Sequence, residues 1–384
     1  MKNRLVAMIL VLAVTAGTLA GCGSRTPAQN AQAAEVSADS PAVDSNASAL
    51  AKELIDRHTT PDDVITEAVI EEVIGLLKQK YTYEEDVKEI KYAADFQTYI
   101  GDGKGWFKKL FDEAGIRTAR VDDASDQEAV LMDRGDLHFA NRMLYPYLTY
   151  IASNSRVTAF YETRNPQKEI ISIFVRADAP YEKFSDLKGK KIAARTSGCQ
   201  YAALLELADD QGWTFGEDWE FVNTKELKEA LLSGEVDAVS SHPRENINSI
   251  VLSGEARIIS NAVPDGIYVN NGGSRVVFGP TQFVKDHPNI VRAYSKLYEL
   301  ISAYTLNNKE EAAATVEQVT RVPAANNIYW WENSSQTHYF TELPLDQLKA
   351  NAQTYADWLL EHDSEFTVAL DIASSTAFDE QYFD

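Results

Sequence analysis

Apolar positions along this chain recur first at helical spacing and then in short runs broken by turns. Val64, Ile65, Ala68, Val69, Val73, Ile74 and Leu77 mark one face of a helix. Thr60-Pro61-Asp62-Asp63 predicts its start. Thr60 can cap, Pro61 suits the first turn, and the two aspartates complement the positive end of the helix dipole. From about Val87 strands and helices alternate. Ile90–Ala94, Arg117–Val121, Leu137–Ala140, Val157–Tyr161 and Ile170–Val175 read as strands. Helices between them run from Gly105 to near Gly115, from Gln127 to Asp133 and from Tyr145 to Ala152. A second set has strands at Lys191–Ala194, Glu220–Val222, Asp237–Ser240, Arg257–Ile259 and Arg275–Phe278. Its helices are Tyr201–Ala208, Lys225–Leu232 and Arg244–Leu252. Alternation of this kind predicts βαβ units and a mostly parallel sheet. Beyond Thr281 the pattern is helical, notably over Ile290–Tyr304, Lys309–Val319 and Leu345–Leu360.

The two ends of the pattern differ from its middle. Lys2 and Arg4 precede a short apolar run, Leu5 to Ala16, interrupted at Gly17. A membrane-spanning helix needs about 20 apolar residues, so residues 1–21 read as a signal peptide. Leu19-Ala20-Gly21-Cys22 resembles the bacterial lipobox, which implies a lipid on Cys22 as the mature N-terminus. Gly23 to Ser48 is rich in Ala, Ser, Asn, Gln and Pro, with almost no large apolar residues. It cannot bury enough surface to fold, so residues 22–59 read as a tether reaching roughly 30 Å.

Composition narrows the partners. The 384 residues carry a formal charge of -22, and 45% are hydrophobic. The size allows one or two domains. The acidic balance argues against nucleic acid. Two cysteines, Cys22 and Cys199, allow no disulfide framework and no Cys-rich metal site. No cofactor motif stands out.

Several segments carry a family likeness. Phe184-Ser185-Asp186-Leu187-Lys188-Gly189-Lys190-Lys191-Ile192-Ala193 resembles the "DLKGKKIA" segment of type II periplasmic-binding proteins. Leu232-Ser233-Gly234-Glu235-Val236-Asp237-Ala238 is similar to their "L-x-G-E-V-D-A" segment, and Asp133 to Ala140 to a looser copy. Gly105-Trp106-Phe107-Lys108-Lys109 and Phe283 to Tyr294 resemble two further segments. The order is that of the branch binding nitrate, taurine, alkanesulfonates and thiamine precursors, over about residues 88 to 305. The resemblance implies an α/β fold with two lobes and a ligand cleft between them. It implies lobe 1 over 60–176 plus 277–384, and lobe 2 over 177–276. It also implies a monomer delivering a small solute to an ABC permease and its ATPase.

In open α/β sheets ligands sit beyond the carboxyl ends of strands, beside helix N-termini. That rule selects Asp95, Gln97, Tyr99, Asn141 and Arg142 from the first lobe. From the second it selects Arg195, Thr196, Ser197, Gly198 and His242, with Asn271 before the returning strand. Thr196-Ser197-Gly198 offers hydroxyls and free N–H groups to an anion, or Ser197 simply caps its helix. Arg142, Arg195 and Arg244 can pair bidentately with a sulfonate or carboxylate, or sit solvated. His242 either caps its helix or meets ligand. Trp330-Trp331 can cover an apolar ligand or fill core.

Two functions follow, beside a third in which the lipoprotein acts as a sensor or adhesin. One is a binding protein without chemistry. The other is a desulfinase-like enzyme on the same fold, in which Cys199 at a helix N-terminus, with His242 and Arg195 near it, would act as nucleophile. The anchor is testable on its own. Cys22→Ala is expected to move the protein from the membrane to the soluble fraction, and an unmodified mature N-terminus at another residue would refute it.

Overall fold

The computed structural model describes residues 45–164, 171–196, 198–242, 245–261, 274–334 and 344–383. Cys22 and the signal peptide lie outside that set, as do Ser197, Arg244 and Asn271 among the expected site residues. Helix α1 (Ser45–Leu54) buries Ala47, Ala51 and Leu54, which share one face. Residues 45–54 are therefore packed helix, not the tether expected up to 59. The helix expected from Thr60 also begins later. Asp63 Oδ2 accepts from Thr60 N at 2.7 Å and pairs with Arg57 at 2.7 Å, which closes a turn. Thr66 is the actual cap: its hydroxyl accepts from Val69 N ahead of α2 (Glu67–Lys80).

The next elements build the first sheet. They are β1 (Glu89–Ala93), α3 (Phe96–Gly103), α4 (Trp106–Phe111), β2 (Arg117–Val121), α5 (Glu128–Asp133), β3 (Ala140–Met143), α6 (Leu144–Ala152) and β4 (Val157–Arg164). The second sheet takes β5 (Ser172–Arg176), β6 (Lys191–Ala194), α7 (Cys199–Asp210), β7 (Glu220–Asn223), α8 (Leu227–Ser233), β8 (Ala238–Ser241), α9 (Glu245–Leu252) and β9 (Ala256–Asn261). The chain then returns in β10 (Ser274–Pro280) and ends in helices: α10 (Thr281–Asp286), α11 (Pro288–Asn307), α12 (Lys309–Thr320), α13 (Ala324–Ser334) and α14 (Leu345–His362).

Both lobes share one strand order. In the second it is β7-β6-β8-β5-β9. In the first, β3-β10-β4 joins the parallel β1-β2 ladder through a parallel bridge between Tyr92 and Phe139, giving β2-β1-β3-β10-β4. Within each sheet the lobe's own four strands run parallel, as the alternation predicts. The fifth, β10 or β5, runs antiparallel between two of them and has just crossed from the other lobe. The ladders put all of β5 in the second sheet, so the first lobe's sheet ends before the expected boundary at 176. At Gly279 in β10, an added Cβ would lie 2.4 Å from the His138 carbonyl oxygen, so only glycine permits that approach.

Aromatic rings fill the first lobe. Tyr294 of α11 stacks on Phe139 at 4.2 Å and on Phe107 at 5.3 Å. The last helix is not confined to this lobe. Buried Leu348, Ala352 and Tyr355 of α14 share a core cluster with Tyr201 and Leu205 of α7, and His362 pairs with Asp209 at 3.6 Å. The chain then comes back to β4, where Ala159 N donates to Ala377 O at 2.8 Å. Among the described residues no helix is long and apolar enough to cross a membrane.

One buried charge gives a pH test of this packing. Glu299 of α11 is 1% exposed. Burial alone would raise its pKa, but Lys296 at 2.7 Å and His58 at 3.1 Å reverse this and hold it at about 2, against an ordinary 4.5. A depressed carboxylate stabilises the fold above its unfolded value and loses that contribution as pH falls through its folded value. Glu299→Gln should therefore cost on the order of 2–3 kcal/mol at pH 7 in urea denaturation. The gap to wild type should narrow below about pH 4.5. A gap independent of pH would contradict this account.

Candidate functional site

Two adjoining cavities open where the strand ends of the lobes face each other. The larger, about 340 Å³, is lined from the first lobe by Asp95, Phe96, Gln97, Tyr99, Asn141 and Arg142, with Arg275, Asn327 and Trp330. The smaller, about 30 Å³, straddles the seam, where Asp126 and Arg142 meet Arg195, Gly198, Cys199 and His242. Ser125, Arg142 and Arg275 line both, so the two communicate.

Local chemistry positions the first wall. Asp95 caps α3: its carboxylate accepts from Thr98 N at 2.8 Å, and Thr98 Oγ1 accepts from Asp95 N at 2.8 Å. Its other oxygen accepts from the Tyr298 hydroxyl at 2.6 Å, which also donates to Gln97 Oε1 at 3.2 Å. Burial raises the Asp95 pKa, and the Tyr298 and Thr98 hydrogen bonds oppose that rise. Asp95 and Gln97 thus reach the cavity but spend much of their bonding capacity on the fold. Phe96 packs on Trp330 of α13 at 4.3 Å, and the Arg120 guanidinium lies 4.7 Å over the Tyr99 ring. These rings form an aromatic side to the chamber. Trp330 is 9% exposed, both core and cavity lining.

The polar side is a chain of charges. Arg142 donates to Glu128 at 2.6 Å, to Ser125 at 2.9 Å and to Asp126 at 3.3 Å. Asp126 reaches across the seam to pair also with Arg195. Burial opposes the charge on Arg142, and Glu128 more than restores it, so its pKa stands above the ordinary value. Arg142 Nε is enclosed and has no acceptor among the described residues. Arg275 Nε donates to Asn141 Oδ1 at 2.6 Å.

The second wall carries a thiol. Cys199 opens α7, and its Sγ lies 2.9 Å from His242 Nε2, at the end of β8. They are 6% and 2% exposed. His242 thus meets a side chain across the fold. Gly198 is the N-cap position of α7. Thr196 N donates to Asn223 Oδ1 at 3.3 Å and its carbonyl accepts from Tyr145 at 3.0 Å, so its backbone braces the seam. The same Tyr145 hydroxyl donates to Asp363 at 2.9 Å, and burial raises that carboxyl's pKa. Lobe two also meets α13, where Asn248 Nδ2 donates to Asn326 O at 3.0 Å.

Of the expected residues, Asp95, Gln97, Tyr99, Asn141, Arg142, Arg195, Gly198 and His242 line one of the two cavities. Sequence reasoning passed over Ser125, Asp126, Glu128 and Arg275. Arg275 is brought in by the ladder. β10 runs antiparallel, so its first residues lie beside the carboxyl ends of β3 and β4: Arg275 pairs with Met143, and Ser274 with Arg164. Asp126 and Glu128 sit in a loop and a short helix with no motif.

Residues 96–312 match the family described as NMT1/THI5 like. No curated protein is similar in sequence. Among solved structures, the alkanesulfonate-binding protein SsuA from Xanthomonas axonopodis pv. citri, bound to MOPS, is similar at 17% identity and TM-score 0.61, covering 74% of this chain and 95% of that one. The periplasmic aliphatic sulphonate binding protein SsuA from Escherichia coli is similar at 17% identity and TM-score 0.60, covering 72% and 87%. The desulfurization enzyme DSZB is similar at 15% identity and TM-score 0.52, covering 76% and 96%. These likenesses are of fold: the two-lobed periplasmic-binding-protein fold.

Proposed function

Because this chain belongs to the NMT1/THI5-like family, we propose that it is a solute-binding protein of an ABC importer, held outside the cell membrane by a lipid on Cys22. Its solute is a small organic anion of sulfonate type, bound between the lobes. The observation that carries this is Arg142: an enclosed guanidinium N–H with no acceptor among the described residues, at the doorway between the two cavities. An enclosed donor left unpaired costs about 1–3 kcal/mol, and an anionic oxygen would recover it. Net charge alone does not argue for an anion, since Asp95, Asp126 and Glu128 offset Arg142, Arg195 and Arg275. Phe96, Tyr99 and Trp330 suit an apolar or flat body attached to the anionic group. The likeness to two sulfonate-binding proteins supports the class of solute.

The lobes would respond by hinge motion. A ligand touching both walls is complete in its contacts only when they close, so it shifts the population toward the closed form. A thermal-shift screen over sulfonates, nitrate, amino acids and pyrimidines tests the class. A true solute at 100 times its dissociation constant adds about 2.7 kcal/mol of stability. Arg142→Ala should then weaken binding by on the order of 2–5 kcal/mol, measured by calorimetry. An unchanged affinity would remove the anion argument, and a bound solute outside the cleft would overturn the site.

A second reading has its own observation. The Cys199–His242 contact beside Arg195 would suit a desulfinase-like enzyme, and DSZB shares the fold. Turnover of a sulfinate by the wild type, lost in Cys199→Ser, would favour it; no turnover favours the binder.

A further inference from the structure

Cys199 and His242 are a buried nucleophile and base that solute binding does not use. A buried cysteine kept for packing sits among apolar groups, where its thiol is inert. Cys199 borders the apolar core beside Tyr201 and Ala202, but its sulfur also meets polar groups and lines the seam cavity. Its Sγ is 2.9 Å from His242 Nε2, within hydrogen-bond reach of a base that can take its proton. It is the first residue of a 12-residue helix, whose positive end favours a thiolate. The cavity it faces is lined by three guanidiniums, Arg142, Arg195 and Arg275, against one carboxylate, Asp126. One of those guanidiniums keeps the unpaired Nε–H described above. Glu128 and Asp126 offset much of this charge, so the uncommitted Nε–H is the group an anionic reagent would meet.

We propose that the Cys199–His242 pair is a thiol-modification site that takes small, carboxylate-bearing disulfides. The Cys199 thiol gives its proton to His242 and attacks one sulfur of R–S–S–R. The Cys199–S–S–R bond forms, the original S–S bond breaks, and R–S⁻ leaves and collects the proton from His242. One disulfide is exchanged for another, so no further oxidant is required. The other cysteine of the sequence, Cys22, is the residue read as lipidated, so the product stays a mixed disulfide. A free thiol reverses it by the same exchange. Disulfides of this kind persist outside the cytoplasm, where the protein is proposed to work. The seam cavity, at about 30 Å³, cannot contain the added group, which must project past Ser125 and Arg142 into the larger chamber. Modification would therefore occupy the proposed solute cleft. That consequence rests on the binding reading; the reactivity of the pair does not.

The test uses the reduced mature chain without solute and 5,5′-dithiobis(2-nitrobenzoate), a dianionic disulfide. One equivalent of thionitrobenzoate should be released per folded chain, with the matching adduct on Cys199 by intact mass. The rate should stay high at about pH 6, where an isolated thiol, with its ordinary pKa of ~8.5, is almost wholly protonated. His242→Gln should slow the reaction at that pH at least tenfold and restore the steep pH dependence of an ordinary thiol. Arg195→Gln should slow the dianionic reagent more than neutral 2,2′-dithiodipyridine. Because His242→Gln could perturb folding, the wild-type pH profile is read independently. Reaction of the wild type only after unfolding in urea, or a wild-type rate that falls about tenfold per pH unit below 8, would overturn the proposal. Neither result bears on the solute screen.

Discussion

The antiparallel pairing of the two crossing strands holds the rest of the molecule in position. β4 ends where β10 begins, with Arg164 opposite Ser274; on the far side of the crossing Ser172 of β5 lies opposite Asn261 of β9. Each lobe is thus closed by a strand that has just arrived from the other. Pairing at both ends brings the strand ends that flank the two crossings side by side. It also turns the carboxyl ends of both parallel sets toward the same gap, where α/β sheets bind ligands. The close approach at Gly279 is the local condition for β10 to lie in that ladder.

Within the gap a second constraint operates, the burial of charge. A guanidinium taken out of water must be paired or it destabilises the fold. Arg142 meets this with Glu128 and Asp126, and Asp126 passes the pairing on to Arg195 across the seam. Asp126 does so from a left-handed backbone, φ 67°, uncommon for a residue other than glycine. Such conformations persist where the surroundings over-determine them, commonly at binding sites. Among the described residues, the chain of charges leaves Arg142 Nε without an acceptor. Binding and lobe closure would therefore act on the same residues.

The C-terminal segment changes the picture of a two-stranded hinge. α14 packs on α7 of the second lobe, α13 meets Asn248, and the chain then returns to Ala159 in the first. Tyr145 ties Thr196 and Asp363 together at the same place. Any opening motion must slide or release these contacts. The relative position of the lobes is thus set by side-chain packing as well as by the crossings.

Much of this was legible in the chain itself. The alternation of strand and helix from Val87 onward, the parallel direction of each lobe's own strands and the binding-protein likeness all rest on signals spread over a few residues: period, caps and turns. The strand-end rule likewise reached Arg142, Arg195 and His242, because a strand's direction is decided locally once the sheet is known to be parallel. Other features needed the folded chain. Thr60 and Thr66 are both good caps, and the side chain of Asp63 turning back on Thr60 decided between them. Arg275 belongs to the site because β10 runs against its neighbours, which no short window reveals. Cys199 and His242 are 43 residues apart, and Phe96 and Trp330 lie still further apart. Their contacts exist only because the ladders fix where separate elements end. Sequence alone therefore determined which elements form and which strand ends face the gap between the lobes. Tertiary structure decided which side chains meet there, because a distance between remote residues is set by packing and register, and neither is encoded within any one segment.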